Sequence, residues 1–439
     1  MKKIKKAVSV LLVGTMLATS LVGCGKKDST SDTSSSADSS KKSVKITLLN
    51  SKGEIQEGLE AIAEKYEAKT GVSIEVMACG TGESPFQKIS TMYSAGSPPT
   101  LAILDTTDVK AIAEEKAVDL SGEEWVKEMS GMTTDINGKI YSFPFCIEGR
   151  GIIYNKTVIE KTLGREFDPA SINSYDSLKA IFEELAAAGM EYPIVISKED
   201  WSLGAHQLQY VYETSTGDNE GAQALIEQFK AGEAKVIDNE RFNQLVQTFD
   251  LLKKYNINNP EPLAATYEQD PIYLADGEAA FWFNGSWAWP NIVEAGGEDN
   301  EYGFIPYVLG TDTNDFANNK IQASPSKQVM IDKEKATEEE IQAAKDFLTY
   351  LVYDEEGQKA LVEDCSVIPV ASNNPNSPAD PLGQSIKDAM ANDKVFTASA
   401  IVPGDHWSVL GAEMQKYLAG QSTKEELATA IQNYWAGQE

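Results

Sequence analysis

The sequence predicts an α/β fold: a largely parallel sheet with helices on both faces, spread over two domains. Three observations predict it. The chain has 439 residues, too many for one ordinary hydrophobic core. Hydrophobic residues make up 42% and charged residues 24%, the usage of a globular chain rather than a disordered one. Between residues 44 and 105, apolar runs and helical periodicities alternate as strand–helix–strand–helix–strand, the order of a parallel sheet.

The first segment is not part of that fold. Lysines stand at positions 2, 3, 5 and 6, an apolar run covers Ala7 to Ala18, and Leu21-Val22-Gly23-Cys24 follows. A basic start, a short apolar stretch and a small residue before the cut read as an export signal over 1–23. A membrane span needs about 20 apolar residues, and this run is shorter and broken by Ser9, Gly14 and Thr15. Leu21 to Cys24 also resembles the lipobox of bacterial lipoproteins, which implies that Cys24 becomes the lipidated N-terminus. Residues 25–43 hold eight serines and no large apolar side chain. With nothing to bury against its ordering entropy, 24–43 reads as a flexible tether with a reach of roughly 60 Å.

Val44 to Asn50 then reads as a buried strand. Ile55, Leu59, Ile62 and Tyr66 recur at helical steps with Gly71 as the stop, and Val72, Ile74 and Val76 alternate as a second strand. A helix over about 84–95 precedes the apolar run Thr100 to Asp105, which ends in a carboxylate. Ligands of such sheets sit beyond the carboxyl ends of the strands, so the loops at 50–54, 79–84 and 105–108 belong on one rim. Around Phe143 to Asn155 a further apolar stretch carries the first crossing between domains, near 146–150. From 175 to 365 the chain is mostly helical, with short strands at 192–196 and 278–283. Two helices, about 404–418 and 423–436, close the chain. Ser422 and Glu425 are placed as a capping box for the second, and Leu427, Ile431 and Trp435 as its buried face.

Composition removes several classes of function. Lys+Arg is 38 against Asp+Glu 67, a net charge of −29 that repels phosphate backbones, so no nucleic-acid partner is expected. His206 and His406 are the two histidines, too far apart for H-E-x-x-H and few for a Ser-His-Asp triad. The four cysteines, Cys24, Cys79, Cys146 and Cys365, form no C-x-x-C pair, which excludes a disulfide-stapled scaffold and a zinc ribbon. Cys79, Cys146 and Cys365 are expected as buried, inert thiols. No G-x-S-x-G is present, and Gly80-Thr81-Gly82 is followed by Pro85 where a dinucleotide fingerprint needs glycine. No catalytic residue, metal or cofactor is expected.

Aromatic residues with polar neighbours carry more signal. Asp200-Trp201, Asn284-Gly285-Ser286-Trp287 and Asp405-His406-Trp407 each set an indole beside hydrogen-bonding groups in a loop-like context. A sugar ring offers a C–H face for an indole and a hydroxyl edge for carboxylates and amides such as Asn284. A single tryptophan is more often core than platform, and Trp125, Trp282, Trp289 and Trp435 are read as core or rim.

The stretch Gly277 to Trp289 resembles the extracellular solute-binding proteins of ABC sugar importers (family 1), and is similar to the maltose-binding type. In the same order, Glu67 to Gly71, Gly138 to Tyr141 with Pro144, Glu148 ahead of Tyr154 to Lys156, Tyr175 to Leu178, Phe347 to Leu351, and Leu418 to Glu426 also fit. The resemblance covers 44–439 and implies a two-lobed periplasmic-binding-protein-like fold with a hinge and a ligand cleft between the lobes. Lobe 1 is expected over 44–148 and about 312–365, lobe 2 over about 149–311 and 366–439. Residue by residue, the resemblance places Trp287 and Trp407 as stacking aromatics and Glu148 as a hinge-proximal acceptor of hydroxyls. Glu199 and Trp201 are placed in the second lobe, and Lys52, Glu54, Glu83 and Asp105 in the rim loops of the first. The spacing of those rim residues departs from the maltose-binding pattern. What the resemblance implies is a monomeric, lipid-anchored receptor on the outer face of the membrane. It would hand an oligosaccharide to the permease subunits of an ABC importer. The rival readings are a carboxylate-dependent glycoside hydrolase, an adhesive surface protein, and a receptor for another polar solute such as a polyol phosphate. An anionic solute calls for arginines, and the chain has three, Arg150, Arg165 and Arg241.

Overall fold

The computed structural model describes residues 44–80, 83–129 and 132–438; the export signal, Cys24 and the tether lie outside the described residues. β1 (Lys45–Asn50), β2 (Ser73–Ala78) and β3 (Leu101–Asp105) pair in parallel, with β1 in the middle. Between them run α1 (Gln56–Thr70) and α2 (Pro85–Ser94), and α3 (Thr106–Lys116) follows β3. The expected face Ile55, Leu59, Ile62 and Tyr66 is buried. Gly71 ends α1 in the left-handed region with φ 77, a conformation that costs glycine nothing.

Alternation along β3 shows why helices cover both faces. Leu101 and Ile103 join one core, under α1, whereas Ala102 and Leu104 join another, under α2 and α3. After the short hairpin of β4 (Asp135–Ile136) and β5 (Lys139–Ile140) comes the long β6 (Phe143–Asn155). Further on are β7 (Ile194–Ile196), β8 (Phe281–Gly285), β9 (Tyr302–Ile305), the long β10 (Ile321–Ile331) and β11 (Val395–Phe396). The sheet order is β2-β1-β3-β10-β6-β8-β7, with β9 on β6 and β11 on β10.

β6 and β10 lie antiparallel and belong to both ends of the sheet. The Lys327–Ile331 half of β10 pairs with β3, while Ile321 and Gln322 pair with β11. Likewise Arg150–Tyr154 of β6 pairs with β8. The β10–β6 register shifts between Pro325 and Gln328, a bulge that bends the ribbon where the two ends meet. The shift lies opposite Pro144, Cys146 and Ile147 of β6.

Some contacts cross the expected lobe limits. Asp315 pairs with Arg241 (3.0 Å), and Phe316 and Ala317 pack with the core that holds Phe396, whereas Ile321 and Ala323 belong to the core under α1. In the other direction, Ile368 bridges to Ile147 and the Ser372 N–H donates to the Glu128 carbonyl (2.8 Å). The capping box of the last helix, Lys424–Ala436, is also one residue later than expected: Thr423 and Glu426 make it, not Ser422 and Glu425. Leu427, Ile431 and Trp435 are buried as expected. Trp125 and Trp282 are core as well, while Trp289 is half-buried against Tyr302.

Candidate functional site

The carboxyl ends of the strands and the bulge converge on one crevice. Its floor is built from the loop after β1. The Asn50 amide accepts from the Lys52 N–H (2.8 Å) and donates to the Lys52 carbonyl (2.8 Å). That clamp turns the Lys52 side chain inward, where its ammonium pairs with Glu148 of β6 and with Glu54 (2.7 Å). Glu148 also accepts from the Ser326 hydroxyl at the bulge. Burial opposes the charge on Lys52, but Glu148 and Glu54 outweigh it and hold the ammonium well above its ordinary pKa. For Glu148 burial pushes upward, and Lys52 with Lys327 more than reverses it, leaving the carboxylate low and ionised.

A second pair lies beside the first. Lys327 bonds Asp105 at the end of β3 (2.7 Å). Burial works against the Lys327 charge; Asp105 and Glu148 restore it and raise the pKa. Both cations of the floor are therefore committed to carboxylates.

The opposite wall is aromatic. Gly285 makes its geometry possible, since a Cβ there would lie 2.0 Å from the Trp287 ring, which folds back over the backbone. Ser286 accepts from the Gly149 N–H (3.3 Å), which ties this turn to the strand position next to Glu148. The half-buried Trp287 thus lines a narrow crevice with Lys52, Glu54, Glu148 and Pro290, with about 10 Å³ of free space between them. From Trp287 the rings continue through His206 (centroids 4.7 Å apart) to Trp201 (5.3 Å) and Tyr267 (5.3 Å). Trp201 and His206 are five residues apart in a wide, π-helical turn over Trp201–Gln207, in which the Leu208 N–H reaches back to the Leu203 carbonyl (3.0 Å). Burial first, then Arg150 and Lys327, hold His206 well below its ordinary pKa, so the imidazole is neutral at pH 7.

The described residues thus form a two-lobed α/β body whose crevice has a charged floor and an aromatic wall. A family model described as bacterial extracellular solute-binding protein matches residues 61–391. This chain belongs to the bacterial extracellular solute-binding proteins. The multiple sugar-binding protein of Streptococcus mutans is 24% identical to this binding protein over 302 residues, 67% of each chain. The maltooligosaccharide ABC transporter solute-binding lipoprotein of Streptococcus pneumoniae is 28% identical over 163 residues, 36% of this chain and 37% of that one. Among solved structures, the solute-binding protein RafE in complex with raffinose is similar with a TM-score of 0.73. The match covers 90% of this chain and 99% of that one, at 19% identity.

In this binding protein the crevice gathers Trp287, Glu148, Lys52 and Glu54. Asp105 joins through Lys327, and Trp201 through His206. Glu199 is half-buried with one carboxylate oxygen unpartnered among the described residues, and burial raises its pKa. Asn284 sits underneath, donating to the Tyr267 hydroxyl (3.1 Å) and accepting from the Gly285 N–H (2.9 Å), so it positions the wall. Glu83 lies apart, exposed and bonded to Lys88 (3.1 Å) and the Gly80 N–H (3.1 Å). Trp407 is outside the crevice lining. It starts the helix His406–Leu418, half-buried, with no ring partner among the described residues. That helix lies on the Trp201–Gln207 turn so closely that a Cβ on Gly204 would be 2.4 Å from the Trp407 carbonyl. Three residues earlier, Gly404 faces Phe86 of α2, which sets Trp407 beside the seam between the lobes.

The three tryptophans lie in helical turns and not in loops, although Asn284 and Gly285 end β8. Cys146 and Cys365 are buried free thiols as expected, whereas Cys79 is half-buried because the β2 end it follows stands at the rim. Lys327, Ser326, His206 and Tyr267 were not singled out by the sequence reading. A proline within a strand, Pro325, is the one signal that marks a bulge and hence Ser326 and Lys327.

Proposed function

We propose that this chain captures an oligosaccharide at the outer face of the membrane and delivers it to the permease of an ABC importer, performing no covalent chemistry. The carrying observation is the Trp287 indole facing the Lys52, Glu54 and Glu148 charges across one crevice. The indole serves the C–H face of a sugar, and the carboxylates and Lys52 serve its hydroxyls. Anionic solutes are disfavoured, because Lys52, Lys327 and Arg150 are already paired with Glu148, Asp105 and Glu213. The sugars in the printed names of the relatives and of the raffinose complex support the same reading.

The crevice has only about 10 Å³ of free space, far below the roughly 300–1,000 Å³ of small-molecule sites, so it has no room for a saccharide as it stands. An oligosaccharide enters when the lobes part at the bulge, and contacts to both walls then favour closure. Anchoring rests on Leu21 to Cys24 and on the lipoprotein relative. The chain acts as a monomer, and Trp407 adds a second platform at the mouth.

A thermal-shift panel of raffinose, stachyose, maltotriose and chitotriose tests the reading. A saccharide at 100 times its dissociation constant stabilises by about 2.7 kcal/mol. A panel without any shift, or release of reducing ends during incubation, overturns it. Replacing Cys24 with serine should move the protein from the membrane fraction into the medium.

A further inference from the structure

Charge in the crevice floor is layered. The Lys52 side chain is 3% exposed, whereas that of its partner Glu54 is 18% exposed. The neighbouring pair repeats the order, with Lys327 at 13% and Asp105 at 40%. In both pairs the ammonium lies underneath and the carboxylate is the group left to solvent.

The balance of charges runs the same way. The crevice lining holds one ammonium, Lys52, against two carboxylates, Glu54 and Glu148. With Lys327 and Asp105 included it is two against three. Nothing nearby redresses the surplus. Arg150 is spent on Glu213 and lies over the Tyr210 ring (5.1 Å). Burial, then Arg150 and Lys327, keep His206 neutral. Asp108 is buried with both carboxyl oxygens unpartnered among the described residues, and burial, then Asp105, push it toward the neutral acid.

A hydroxyl uses the hydrogen-bonding capacity of a carboxylate but leaves its charge uncompensated, and a neutral solute that displaces water from the floor makes that surplus costlier. An ammonium uses both the hydrogen bond and the charge. The wall agrees with the floor, because an indole attracts a cation over its face and Trp287 lines the same crevice as Glu54 and Glu148.

We propose that the captured saccharide carries free amino groups, and that the surplus carboxylate of the floor, together with Trp287, reads their positive charge. This rests on the capture function proposed above and names the class of saccharide.

The test uses calorimetry at pH 6 with two trimers of the same β-1,4 backbone. Cellotriose has a hydroxyl at C2 of each unit, and the glucosamine trimer has an ammonium there. The glucosamine trimer should bind at least about tenfold more tightly. At pH 9, where the sugar amines are neutral, the gap should close in wild type. Glu54→Gln and Asp105→Asn each remove one of the outer carboxylates and should narrow the gap at pH 6 to about threefold or less. If either variant fails to fold, the other and the wild-type pH comparison decide. A gap unchanged in the variants and at pH 9 overturns the charge reading. Equal binding of the two trimers, or binding of neutral saccharides alone, overturns the inference and leaves the capture function standing. Spermidine, a cation without a sugar ring, is the last arm, and tighter binding than the glucosamine trimer overturns both readings. Failure of every saccharide to bind tells against the capture function, and the inference falls with it.

Discussion

Lys52 and Glu148 form a buried ion pair between the loop that ends β1 and the strand that crosses from one lobe to the other. Removing one partner of such a pair strands the other charge, whereas replacing both costs less. Lys52→Met should therefore destabilise the protein by about 3 kcal/mol, with Glu148 left to Lys327 and Ser326. The double variant Lys52→Met/Glu148→Gln should recover at least about 1 kcal/mol of that. Urea unfolding of wild type, both single variants and the double variant measures the coupling. Strict additivity would show that the two groups do not depend on each other.

Trp287 and Gly285 make a paired prediction about binding. Trp287→Ala removes the indole from the crevice and should weaken saccharide binding by about 2 kcal/mol, roughly thirtyfold. Gly285→Ala leaves the indole in the sequence but places a Cβ 2.0 Å from its ring, so the ring must swing away. A comparable loss of affinity is expected from this smaller change. Trp289, packed edge-on against Tyr302 at 5.9 Å, is the control: Trp289→Ala should lower stability and leave affinity within about threefold. Calorimetry with the saccharide selected by thermal shift checks all three, and equal affinities for wild type and Gly285→Ala would detach the turn from the site.

The parts of this architecture that were legible in the sequence are those fixed by local pattern. β1 and β3 stood out because strands covered on both faces are nearly continuous apolar runs, β2 because Val72, Ile74 and Val76 alternate, and α1 because its buried face recurs at helical steps up to Gly71. Trp287 was legible because Asn284 and Gly285 shape its turn locally. What escaped depends on distant contacts. Lys327 looks like any solvated strand lysine until the bulge turns it toward Asp105. His206 meets Trp201 only because the turn is five residues wide, a spacing outside ordinary helical periodicity. Asp108 resembles any acid in a first helical turn, where the dipole favours it, and only its burial without a partner distinguishes it. The contact between Phe316 and Phe396 joins positions 80 residues apart, which no local pattern signals.

His406 sets the acid side of the stability profile. It is fully buried between Tyr212 and Trp435, its Nε2 3.2 Å from the Tyr212 hydroxyl, and burial pushes its pKa down to about 3. In the unfolded chain the imidazole takes a proton near pH 6.5, whereas the folded one stays neutral. The unfolded state thus binds the extra proton, so stability is intact above pH 6.5 and is lost as the pH falls toward 3, by about 5 kcal/mol at most. His406→Phe keeps an aromatic ring in the cluster and cannot titrate. Its stability deficit relative to wild type should shrink between pH 7 and pH 4.5, as read by guanidinium unfolding. A deficit independent of pH would mean that His406 does not titrate on unfolding.

Asp270 works in the opposite sense, between pH 3.8 and about 7. It is 1% exposed, accepts from the Ser197 hydroxyl (2.5 Å), and Ser197 in turn accepts from the Trp282 indole N–H (3.0 Å). Burial pushes the Asp270 pKa up to about 7, against 3.8 in the unfolded chain. Between those values the folded state holds a proton that the unfolded state has released, so raising the pH lowers stability through this window. Above pH 7 both states are ionised and the loss is complete. Glu213 is also pushed up by burial, against the pull of Arg150, and adds to the same slope. Asp270→Asn keeps an acceptor for Ser197 and has no charge to bury. It should match wild type near pH 4.5 and exceed it by about 2 kcal/mol at pH 8. Stability measured at both pH values decides the point: an Asp270→Asn variant weaker than wild type at pH 8 would mean that the ionised carboxylate is stabilised where it lies, and the buried chain from Trp282 through Ser197 would then carry a charge at its end.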